Sequence, residues 1–190
     1  MTETAGAEAE SGSEEGDGYG GVFGAYPYAF RRSESRLFKS YVVLGGLLAL
    51  LLAFFFVLTL VVQVANTLGG PGGTFTFSRA LFILVGFLVV APMLAPVLFV
   101  ARHHRRVGSD PRYDRLLAGF GFLFLVSLYL GVTASIPPEF VLDGETVTRP
   151  APSGLTAPLV AVLYAVPETA APLIPFTAAL LLYFAHRYAQ

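Results

Sequence analysis

The sequence contains no cysteine, which removes disulfide frameworks, thiolate metal sites, iron–sulfur clusters and cysteine nucleophiles from consideration. Its three histidines are few for a metal enzyme, and only 13% of its residues are charged, where a soluble domain carries about a quarter. Catalytic arrangements are missing as well. Ser127, Thr133, Ser135 and Thr177 fall in apolar segments with no histidine or carboxylate at the same depth to activate a hydroxyl. The glycine run at 69–73 lacks the Lys-Ser/Thr ending of a phosphate loop, and there is no His-Glu-x-x-His pair. The sequence therefore predicts a protein that is not an enzyme and has no cofactor.

What the chain does have is apolar length: 55% of its 190 residues are hydrophobic and its mean hydropathy is +0.67. Residues 41–64 carry no charge and would make about 36 Å of helix, enough to cross a hydrocarbon core of about 30 Å. Asn66 and the Gly/Pro run at 69–73 stop that helix. Residues 80–101 form a second span, in which Pro92 and Pro96 predict a kink near 91–96. Residues 116–136 form a third, closed by Pro137-Pro138, and a polar loop follows at 139–158. The last apolar stretch is too long and too rich in proline for one span. Counting back from His186 places its start near Pro167-Glu168, with proline and an acid where a helix begins, and leaves 159–166 as an interfacial or half-inserted segment. The expected fold is all-α, an integral membrane four-helix transmembrane bundle with spans at about 41–64, 80–101, 116–136 and 167–186.

Residues 1–38 read as a cytoplasmic tail and 39–190 as the membrane domain. Within the tail, residues 1–18 hold six acids and no base and lack the apolar side chains needed to order them, so they are expected to be disordered. The rest of the chain, with twelve bases against seven acids, is about +5. Residues 19–38 form an aromatic and basic juxtamembrane stretch, where glycines and Pro27 oppose a regular helix. The aromatic rings suit the membrane interface or a docking partner. With the amino terminus inside, ten Lys/Arg lie on cytoplasmic flanks and only Arg79 and Arg149 outside. The positive-inside rule then places both termini in the cytoplasm of a cell-membrane protein. Arg31-Arg32 serves as an anchor rather than a cleaved signal.

Few residues invite chemistry. Glu168 is the one ionisable candidate in a span, a helix-start acid or a pathway residue near the outer mouth. His103, His104 and His186 should all lie at the cytoplasmic face, weak candidates for haem or another cofactor. The cluster Arg102, His103, His104, Arg105 and Arg106 suits anionic lipid headgroups, and no nucleic-acid partner is expected. Small residues at four-residue spacing, Gly45/Ala49/Ala53 and Ser127/Gly131/Ser135, mark packing faces.

The acidic tail, eleven arginines against one lysine, the absence of cysteine and the Ala/Leu/Val/Gly-rich spans resemble the uncharacterised small multi-pass membrane proteins of halophilic archaea. This resemblance is one of composition and layout, and it implies a salt-adapted cytosol around residues 1–18. The function expected is that of a non-enzymatic accessory or scaffold component of a membrane complex, with a membrane-protein partner or a homo-oligomer. The alternatives are a small oligomeric transporter or channel and a haem- or quinone-associated redox protein.

Overall fold

The structure, a computed structural model, describes residues 20–67, 83, 86–142 and 144–190. The acidic segment 1–18, the glycine-rich turn at 69–73 and most of the amino-terminal part of the expected second span lie outside the described residues. Six α-helices account for most of what is described: α1 Gly21–Arg32, α2 Arg36–Thr67, α3 Val90–Arg106, α4 Pro111–Ala134, α5 Ala157–Tyr164 and α6 Leu173–Tyr188. A two-stranded antiparallel hairpin, β1 Glu139–Leu142 and β2 Glu145–Thr148, follows α4. A 3₁₀ turn, Glu168–Ala170, precedes α6.

Three stretches, Arg36–Ala65, Pro111–Ala134 and Glu168–Tyr188, are long and apolar enough to cross a membrane. They correspond to the first, third and fourth expected spans. Within the described residues, α3 covers only the carboxyl-terminal part of the second.

The central element is α4, which packs against α2, α3, α5 and α6 and contributes to all three core clusters. At one end of the bundle Leu117 and Ala118 join Phe38, Tyr41, Val97 and Val100. In the middle Phe124 meets Ala49, Met93 and Ala178. At the other end Ala134 meets Leu163 and Ala171. Tyr41 seats its ring over Gly121, where an added Cβ would come within 2.5 Å of it, and donates its hydroxyl to the Met93 carbonyl at 2.7 Å. Ala49 and Ala53 pack into the middle cluster, and Ser127 and Gly131 are also buried, so the small-residue faces serve packing inside the chain.

Four expectations need correction. Residues 21–32 are helical despite Pro27, because Ala25 and Ala29 are fully buried against the core and packing outweighs the lost donor. The loop at 139–158 contains the hairpin, so the chain is mostly rather than entirely helical. Its strands carry β-branched residues, and the pairing of Leu142 with Glu145 leaves a two-residue connection ending in Gly144 at φ 88, the conformation a tight hairpin turn requires. The expected kink at 91–96 falls earlier. Pro92 has no N–H for the Leu88 carbonyl, which accepts instead from Ala91 at 3.1 Å, and the helix is interrupted by a turn at Leu88 and Val89. Finally, His104 is not on the basic surface: it is buried.

Candidate functional site

The densest polar cluster lies where α1 turns into α2 and α3 turns into α4. Local sequence builds both corners. Ser35 caps α2 by accepting from the Phe38 N–H at 3.2 Å. Asp110 caps α4 by accepting from the Arg112 N–H at 2.8 Å, with Pro111 at the first helical position, where its missing N–H is not needed. That hydrogen bond, aided by the Tyr113 N–H and by His103 and Arg112, holds the Asp110 carboxyl below the usual carboxylate range against a smaller opposing effect of burial.

One turn after the cap, Asp114 points inward and is fully buried. Its Oδ1 pairs with His104 Nε2 at 2.8 Å, and its Oδ2 accepts from the Ser33 hydroxyl. Ser33 Oγ in turn accepts from the Ser35 N–H at 3.1 Å. One carboxylate thus joins the corner between α1 and α2 to the carboxyl end of α3 and the first turn of α4. An acid near a helix amino terminus sits favourably in the local helix dipole. His104 Nδ1 is buried without a hydrogen-bond partner.

The other two histidines lie at the same end of the bundle. His103 stacks on Tyr113 with ring centroids 4.1 Å apart. His186 stacks on Phe99 at 3.8 Å, shares a hydrogen with the Tyr113 hydroxyl at 2.6 Å and meets the Gln190 amide at 2.7 Å. The three imidazoles are therefore neighbours with separate engagements, and among the described residues no group of three or more His, Asp or Glu could hold a metal ion. Arg102, Arg105 and Arg106 are exposed around this cluster.

Glu168 lies at the opposite end, exposed at the start of the 3₁₀ turn. Arg149 shares that end with it. The Arg149 guanidinium donates to the Ile136 carbonyl just beyond α4 at 3.0 Å and to the Tyr164 carbonyl at the end of α5 at 3.3 Å. It also covers the Tyr164 ring at 4.0 Å, a cation–π contact. Its backbone N–H donates to the Pro138 carbonyl at 3.0 Å, so one residue fastens the hairpin to two helix carboxyl ends.

Sequence reasoning missed Asp114, Ser33 and Arg149. Asp114 stands between Tyr113 and Arg115 in a basic loop, and no local signal there marks its side chain as buried.

Neither the search of curated proteins nor the search of solved structures found a match. The family described as Domain of unknown function (DUF8056) matches residues 1–190, so the chain belongs to that family over its whole length.

Proposed function

We propose that this chain is a four-span integral membrane protein of the cell membrane, both termini cytoplasmic, acting as a non-enzymatic accessory or scaffold component of a membrane complex. The observation that carries this reading is how the polar groups of the bundle are used. The Asp114 carboxylate, the His104 and His186 rings and the Arg149 guanidinium are each committed to joining helix ends. Groups used as joints make a rigid frame. The apolar surface supports the membrane part of the reading: from Leu50 to Ala65 no side chain of α2 is buried, an extent of exposed apolar helix that lipid or another helix would cover.

The orientation rests on charge. Arg31, Arg32, Arg36 and Lys39 lead into α2, Arg102 to Arg106 end α3, and Arg112 and Arg115 begin α4. The contacts of Asp114 and Tyr113 gather these helix ends at one pole. A basic pole of this kind suits the cytoplasmic leaflet and its anionic headgroups.

The test is purification from native membranes in gentle detergent, with mass determination of the intact complex and an absorption spectrum of the same sample. A reproducible heterologous partner is expected. A clean colourless homo-oligomer would overturn the accessory reading in favour of a transporter, and flux through E168Q in liposomes would then be measured. A coloured preparation would point to a redox cofactor instead.

A further inference from the structure

We infer that α1 is a half-inserted helix whose outer face, Phe23, Pro27 and Phe30, contacts the lipid chains of the inner leaflet. The inference rests on the membrane reading above and adds to it a fifth helical element inside the bilayer. It begins with depth along α2. The Tyr26 ring lies against Gly46 so closely that a Cβ there would approach it to 2.9 Å. Gly46 is ten residues beyond Arg36, about 15 Å along the helix and about 7 Å past the point where the apolar run begins at Tyr41. A helix lying flat among the headgroups could not make that contact.

The packing of α1 agrees with this placement. It lies mainly along α3, with Ala25 and Ala29 in the same core cluster as Val97, Val100 and Ala101, all residues of the expected second span. Its carboxyl end is held at the basic pole, where Ser33 bonds to Asp114. From that fixed point twelve residues extend about 18 Å, close to the roughly 15 Å thickness of half a hydrocarbon core.

The uncovered face has the chemistry of a lipid contact. Phe23, Pro27 and Phe30 fall at i, i+4 and i+7 on one side, all exposed, Phe23 by 91%. Within α1 charge appears only at the end nearest the pole, with Arg31 and Arg32 in the last turn, and Lys39 Nζ lies 5.4 Å from the Phe30 ring centroid. Apolar residues at depth with bases at the rim complement lipid chains beneath anionic headgroups.

The chain contains no tryptophan, so each single substitution gives one tryptophan, excited apart from the tyrosines at the red edge of the absorption band. F23W reports on α1, and its exposure means that no packing is lost. F54W, on the exposed outer half of α2, reports independently on whether the bundle is in the bilayer. Each full-length variant is reconstituted into phosphatidylcholine–phosphatidylglycerol vesicles with plain or brominated acyl chains. Both are expected to lose emission in brominated vesicles and to resist aqueous iodide, with F23W losing more to bromines near the chain end than to bromines near the headgroup. F54W quenched by bromine with F23W quenched by iodide would overturn the inference and leave the membrane reading standing. Iodide quenching of both would overturn the membrane reading as well. Adding G46L to F23W should displace Tyr26 and reduce the bromine quenching, and an unchanged signal would refute the Gly46 seat as what sets the depth.

Discussion

Replacing Asp114 by alanine is the severest test of the cluster at the basic pole. The substitution removes the acceptor of the Ser33 hydroxyl and the partner of His104 Nε2, leaving both donors in a site where Asp114 was fully buried and His104 nearly so. Removing one member of a buried pair costs about 3–5 kcal/mol, and two hydrogen bonds to a carboxylate at about 1.5–3 kcal/mol each reach a similar total. Asparagine keeps an acceptor for His104 and can donate to Ser33 Oγ, but it leaves the Ser33 hydrogen without its acceptor, so D114N should cost about 1–2 kcal/mol. Equilibrium unfolding in mixed micelles titrated with dodecyl sulfate, followed by far-ultraviolet circular dichroism, measures both. Amide exchange at Ser35 and Phe38 should rise in D114A, because the Ser33 hydroxyl that orders this corner loses its anchor. The cycle with S33A should be non-additive by about 1 kcal/mol or more, since the two residues share one bond. D114A within about 0.5 kcal/mol of wild type, the range of ordinary surface changes, would refute the assignment of Asp114 as the joint. D114N as damaging as D114A would refute the hydrogen-bond account.

Three further predictions concern helix ends and close contacts. G121A should destabilise by about 1–3 kcal/mol, because its methyl group would meet the Tyr41 ring at 2.5 Å, whereas G119A, with nothing within 4 Å, should gain up to about 1 kcal/mol in helix propensity; the same unfolding assay reads the opposite signs. R149K should loosen the hairpin, since an ammonium cannot span the Ile136 and Tyr164 carbonyls that the guanidinium bridges, and limited proteolysis within 139–156 should quicken several-fold. D110A should cost about 1 kcal/mol through loss of the α4 cap while D110N should not. Because the folded Asp110 carboxyl titrates below its ordinary range, the contribution of its charge is present above that range and is lost as pH falls through the lower folded value, so the difference between wild type and D110N should change only under acid conditions.

The long apolar runs were legible because a membrane-spanning helix must be apolar over its whole length, and the candidate spans Arg36–Ala65, Pro111–Ala134 and Glu168–Tyr188 fall where the runs do. The helix α1 was not legible. Its glycines and Pro27 oppose a helix locally, and only the burial of Ala25 and Ala29 against distant residues explains it. The hairpin was written in the sequence, with Asp143-Gly144 between two runs containing β-branched residues, but polarity alone suggested a loop. Asp110 and Asp114 show the limit most clearly. Both are acids in one basic loop, four residues apart, yet one is a partly exposed cap and the other a fully buried joint. Which of them turns inward depends on Ser33 and His104, 81 and 10 residues away, and nothing in the local pattern reveals those partners.

The two ends of the bundle are also secured unequally, and this sets an order of opening. At the basic pole eleven buried residues form one cluster, and the Asp114 joint ties four helix ends together above it. At the other end, among the described residues, three buried residues, Ala134, Leu163 and Ala171, form the cluster, and Arg149 bridges the hairpin to α4 and α5. Regions with few buried apolar contacts and exposed backbone bonds open first. Hydrogen exchange in detergent micelles should therefore show β1, β2 and α5 exchanging well before the first turns of α2 and α4, and R149K should speed only the former group. Uniform exchange at both ends, or an R149K effect reaching the amides of Phe38 and Asp114, would mean that the bundle opens as a single unit and that the joints are not independent.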